Sequence, residues 1–150
     1  MAIIEVEKSG FPKDLSLGFL FYNEVTLSAG DVAEAYLNGV TGSQWNPPYE
    51  AVWQGQLQCM AVCVDSGSGS QAVGATHSRE VNITFEYVGG VGTIAFEHQY
   101  FNYKDTNMNG TWIFSVNAGQ GISIEWEAPS GASDTQFKLR CVASVNEVKL

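Results

Sequence analysis

The segment "DTNMNG", residues 105–110, carries oxygen-bearing side chains at alternate positions and then a glycine. Asp105, Asn107, Asn109 and Gly110 therefore match the first half of an EF-hand-type calcium loop, where alternate residues supply ligands and glycine permits the sharp turn. The twelfth position of such a loop is a bidentate glutamate, and here it is Val116. The flanks alternate like strands, so a hairpin connection accounts for the segment without a metal. Calcium at Asp105, Asn107 and Asn109 is a secondary expectation, and no other cofactor is expected. Zinc is not supported, because Cys59 and Cys63 would stand about 13 Å apart along one strand.

Catalytic patterns are equally sparse. There is no G-x-S-x-G nucleophile elbow, and no cysteine sits in a catalytic context. Glu125 and Glu127 would project from one strand face about 7 Å apart, a spacing that suits an inverting glycosidase pair. Neighbouring acids on the wet face of a sheet are ordinary, however, and the chain is short for a catalytic cleft. The protein is read as non-catalytic, with no catalytic residues assigned.

The aromatic residues carry more information. The stretch "AFEHQYFNYKDTNMNGTWIF", residues 95–114, contains six rings and a histidine. Strict alternation places Ile94, Phe96, His98 and Tyr100 on one face and Ala95, Glu97, Gln99 and Phe101 on the other. Phe96 and Phe114 are assigned to the core. Rings that fall in loops beside amides are assigned to a site, since an aromatic face with fixed amide donors suits a sugar or a lipid headgroup. The candidate ligand-binding residues are Trp45, Tyr49 and Trp53 around the proline loop, with Phe101, Tyr103, Asn107, Asn109 and Trp112.

The elements that must position these residues are strands. "LSLGFLFY" places Leu15, Leu17, Phe19 and Phe21 on one face, and "VNITFEYV" sets Ile83, Phe85 and Tyr87 against Asn82, Thr84 and Glu86. "ISIEWEA" sets Ile122, Ile124 and Trp126 against Ser123, Glu125 and Glu127. "QFKLRCVASV" sets Phe137, Leu139, Cys141, Ala143 and Val145 against Lys138, Arg140, Val142 and Ser144. With "IIEVE", "QLQCMAVCV", "TIAFEHQYF" and "TWIFSV", this makes about eight strands. Breaks such as "SGSGSQAVG", "YVGGVG" and "NAGQG" supply turn residues between them. The pattern predicts an all-β, single-domain antiparallel β-sandwich over residues 1–150, of jelly-roll or aegerolysin-like type. The segment "SAGDVAEAYLNG", 28–39, reads either as a short helix or as an edge strand.

Composition bounds the partners. Sixteen acids against seven bases give a net charge of −9, which repels a phosphate backbone and argues against nucleic acid. The start "MAIIEVEKSG" lacks the basic and apolar regions of a signal peptide. Three cysteines cannot all pair, and with no leader they read as reduced thiols. The expectation is synthesis in the cytoplasm, with action outside the cell after release.

Residues 73–116, "VGATHSREVNITFEYVGGVGTIAFEHQYFNYKDTNMNGTWIFSV", resemble the order of strands and turns in the aegerolysins, and more loosely the actinoporin-like fold. "FEHQYFNYKD" stands where that family carries a tryptophan-rich signature. The resemblance implies a protein that docks on particular membrane lipids and acts in a toxin, usually with a second protein component. The expected function is a recognition module for a membrane lipid headgroup or a glycan. The alternative is a homo-oligomeric structural or receptor-binding domain, such as a viral fibre head or a lectin-like jelly roll.

Overall fold

A computed structural model describes the backbone of residues 4–8 and 11–150 and the side chains of residues 17–150. The proposed face position of Leu15 and parts of the N-terminal reading lie outside the described residues. The chain forms ten strands and, among the described residues, no helix: β1 Ile4–Lys8, β2 Phe11–Leu27, β3 Val32–Glu34, β4 Tyr36–Leu37, β5 Ala51–Asp65, β6 Thr76–Val88, β7 Val91–Lys104, β8 Thr111–Val116, β9 Ile122–Glu127 and β10 Thr135–Lys149. Eight coincide with the expected strands. The segment left open between helix and edge strand contributes the two short strands β3 and β4.

A seven-stranded antiparallel sheet has the order β1-β2-β10-β5-β6-β7, with β4 attached to β2, and a three-stranded sheet has the order β3-β9-β8. The result is an all-β antiparallel sandwich, not a closed barrel. The alternation read from sequence explains the packing: Phe19, Phe21, Leu57, Ile83, Phe85, Phe137, Leu139 and Cys141 are buried between the layers. From the small sheet, Trp112 and Trp126 stand directly opposite each other and both are buried. Trp126 meets Phe137 edge-on at 4.8 Å between ring centroids, which ties the two sheets together.

Some polar groups within this core are paired, while the buried Trp112 Nε1–H has no hydrogen-bond acceptor among the described residues. His77 is buried; its Nδ1 accepts from Trp126 Nε1 at 3.0 Å, and its Nε2 lies 2.9 Å from Asn102 Oδ1. The tautomer with Nε2–H satisfies both contacts. Cys59, Cys63 and Cys141 are buried and unbridged, with Cys59 and Cys141 opposite each other on β5 and β10. An apolar void of about 30 Å³ lies between Trp45, Phe85 and Ile124, with room for nothing larger than a water molecule.

The hairpin between β6 and β7 turns at Gly89 and Gly90, whose φ values of 61° and 78° favour residues without a Cβ. Strand β7 then runs along the edge of the large sheet, and two irregularities interrupt its pairing with β6. Glu80 pairs with Phe101 and Val81 with Gln99, so Tyr100 is an extra residue; Thr84 pairs with Phe96 and Phe85 with Ile94, so Ala95 is another.

Candidate ligand-binding groove

Each extra residue shifts the side-chain phase of β7 by one. Phe96, His98, Phe101 and Tyr103 pair with Thr84, Asn82, Glu80 and Ser78, so all four lie on the outer face of the large sheet. Glu97, Gln99, Asn102 and Lys104 pair with Ile83, Val81, Arg79 and His77, and they face inward. This corrects the assignment of Phe96 to the core: it is 54% exposed. Its ring stacks with that of His98, with centroids 6.3 Å apart and planes inclined by 24°. Phe114 lies partly buried against the core as expected, beneath the Arg79 guanidinium at 5.3 Å.

Phe96 closes a groove of about 490 Å³ on the outer face. Register builds this groove from four strands. One rung runs Ser144–Gln56–Asn82–His98 and the next runs Asn146–Gln54–Thr84–Phe96, across β10, β5, β6 and β7. Gly55 and Ile83 contribute between the rungs. The lining is uncharged throughout. The side chains of Gln54, Gln56 and Asn82 make no hydrogen bond to other described residues, whereas Gln58, one rung away, reaches Glu80 at 3.4 Å. Each free amide offers two donors and a two-lone-pair acceptor. A Cβ on Gly55 would lie 2.1 Å from the Ser144 carbonyl oxygen and 2.6 Å from Val145 Cα, so glycine allows β5 and β10 to approach closely at the groove floor.

Most of the residues singled out from sequence lie elsewhere. Trp45, Trp53 and Trp112 are 9%, 3% and 2% exposed, and their assignment as surface ligand contacts is corrected. The proline loop folds back so that Trp45 packs edge-on against Phe19, Trp53 and Phe85, at 5.6, 5.0 and 5.7 Å. Trp53 donates its Nε1–H to the buried Glu147 carboxylate at 2.7 Å. Tyr49 stacks on Trp53 at 6.3 Å and donates its hydroxyl to Glu147 at 2.6 Å. It is a half-open wall of the core, on a different part of the surface from the groove.

Asn107 occupies the β7–β8 turn with φ 64°. Its amide donates to the Ser70 carbonyl at 3.1 Å, and its carbonyl accepts from Gln71 at 2.8 Å. Asn109 is exposed in the same turn. Asp105 accepts from the Tyr103 hydroxyl at 2.6 Å and from the Thr76 backbone N–H at 2.8 Å. These bonds, the Tyr103 bond first, lower its pKa below the usual carboxylate value. Both Asp105 oxygens are thus engaged in holding the turn. Among the described residues no group of three or more His, Cys, Asp or Glu side chains could hold a metal ion. Of the candidate ligand-binding residues, only Phe101 and Tyr103 share the outer face with the groove.

No family model matches this chain, and no curated protein matches it. Among solved structures, the tailspike protein of Acinetobacter phage vB_ApiP_P1 is similar, with a TM-score of 0.45 and 16% identity, over 81% of this chain and 21% of that one. The tailspike protein of Acinetobacter baumannii phage AM24 is similar with a TM-score of 0.41 and 8% identity, over 86% of this chain and 26% of that one. The chain therefore spans about a quarter or less of either tailspike.

Proposed function

We propose that this protein is a non-catalytic recognition module for a neutral glycan, and that the groove floored by Gln54, Gln56 and Asn82 is its binding site. The observation that carries this reading is a concave surface of about 490 Å³ that combines free amides with one exposed ring. A sugar presents hydroxyls around its rim and an apolar C–H face. Amides that both donate and accept suit the first, and the Phe96 ring suits the second. A lining without charge favours a neutral sugar over an anionic one, in keeping with the net charge of −9. The polar floor suits a hydroxylated ligand better than an acyl chain, which favours a glycan over a membrane lipid. The absence of acidic side chains from the groove lining supports binding without hydrolysis, since glycoside cleavage ordinarily needs two carboxylates beside the bond.

The test is binding to an array of neutral and acidic glycans, followed by titration calorimetry on the best hit. Phe96→Ala should weaken binding about tenfold or more, on the scale of a lost ring contact. Gln56→Ala and Asn82→Ala should each weaken it severalfold without changing the melting temperature. Binding that survives all three substitutions, or no binding to any neutral glycan, would remove the reading.

A further inference from the structure

Strand β7 leaves one feature unexplained by a groove. From Ala95 to Lys104, ten consecutive residues are exposed. Its outward backbone edge has no strand beside it among the described residues. Its inward-facing Glu97, Gln99, Asn102 and Lys104 are exposed, and its outer face carries Phe96, Phe101 and Tyr103 at 54%, 46% and 51% exposure, with Tyr100 at 41%. A long uncovered edge strand is a template for pairing, and the two bulges with the inward charges of Glu97 and Lys104 limit its partners to a strand that matches them. Residues 91–104 contain no proline.

We infer that β7 pairs antiparallel with β7 of a second copy about a twofold axis between Tyr100 and Phe101, joining the two large sheets into one. The self-complementarity of the strand carries this. In that register Glu97 faces Lys104 of the second copy, Gln99 faces Asn102, His98 faces Tyr103 and Tyr100 faces Phe101, each contact occurring twice by symmetry. Opposite charges, paired amides and paired rings all favour cross-strand association.

The extra residue at Tyr100 makes the match feasible. In a regular strand, positions 97 and 104 point to opposite faces. With the bulge, Glu97 pairs with Ile83 and Lys104 with His77, so both lie on the inner face and can meet across the axis. Within one chain the Glu97 carboxylate contacts Arg79 at 3.3 Å and Lys104 donates to the Gly110 carbonyl at 3.0 Å. Neither group is buried by these contacts. A twofold axis normal to the sheet keeps faces on the same side, so both outer grooves of the dimer would open in one direction.

The experiment is mass determination by light scattering and sedimentation equilibrium across a concentration series extending to the millimolar range. A dimer, twice the 16.2 kDa chain mass, is expected. Glu97→Lys and Lys104→Glu should each weaken dimerisation about tenfold or more by opposing like charges. The double variant Glu97→Lys/Lys104→Glu should restore it. Circular dichroism checks that each variant is folded. A monomer at every concentration, a trimer or larger assembly, or a dimer that the single reversals leave intact would each overturn the inference. So would a failure of the double reversal to restore pairing. None of these readouts depends on glycan binding, so this inference and the proposed function can fail separately.

Discussion

At the scale of single residues, burial decides chemistry more than residue type does. His77 and His98 have the same side chain, yet His98 stacks in the open beside Phe96 while His77 is sealed between Trp126 and Asn102. Burial is the main cause that lowers the His77 pKa from 6.5 to about 4; nearby Lys104 and Arg79 push the same way, and the Asn102 bond opposes them. The unfolded chain therefore takes up this proton before the native one does. The His77 contribution to stability is complete above about pH 6.5 and is lost as pH falls toward 4. The full difference is on the order of 3 kcal/mol. Urea unfolding at steps between pH 7 and 4 should show this decline in the wild type, and His77→Phe should flatten it at a lower overall stability. Equal slopes in the two proteins would remove His77 as the acid-sensitive group.

The element scale shows what was legible in the sequence and what was not. Period-two patterns in β2, β6, β9 and β10 give the correct inward sets, Phe19 and Phe21, Ile83 and Phe85, Ile124 and Trp126, Phe137 and Leu139. The same rule fails in β7, because it assumes that no residue is inserted. Nothing local in "TIAFEHQYF" marks Ala95 and Tyr100 as extra, so Phe96 reads as core. The proline loop misleads for a different reason: a tryptophan in a polar connection resembles a binding residue until the loop folds back and buries it. The groove was half legible. Asn82 and Thr84 are marked as an outward face, but Gln54, Gln56, Ser144 and Asn146 join them only through register across four strands. Outward positions filled with uncharged amides, where charge is more usual, are the signal that could have found it. Gly55 tests the floor directly. Gly55→Ala forces a methyl group against the Ser144 carbonyl and Val145 Cα, which should cost about 1–3 kcal/mol by overpacking. Chemical denaturation measures this, and an unchanged midpoint would mean that β5 and β10 relax freely there.

For the whole molecule, groove and edge strand bear on one another through geometry. Phe96 closes the groove and lies on the same strand whose edge pairs with a second copy. A ligand displayed on a surface would therefore meet two grooves held on one face at a fixed separation. The second binding event then becomes intramolecular, and avidity can exceed single-site affinity by factors of about 10²–10⁴. Free oligosaccharide in solution gains nothing from this arrangement. The Glu97→Lys variant, weakened in pairing, should thus bind soluble glycan as the wild type does, because Glu97 faces the opposite side of the sheet from the groove. On a densely glycan-coated sensor it should dissociate on the order of tenfold or more faster than the wild type. Restored slow dissociation in the charge-swapped double variant would tie the effect to pairing of β7. If single and double variants dissociate alike from both surfaces, the two grooves act independently and the dimer serves some end other than avidity.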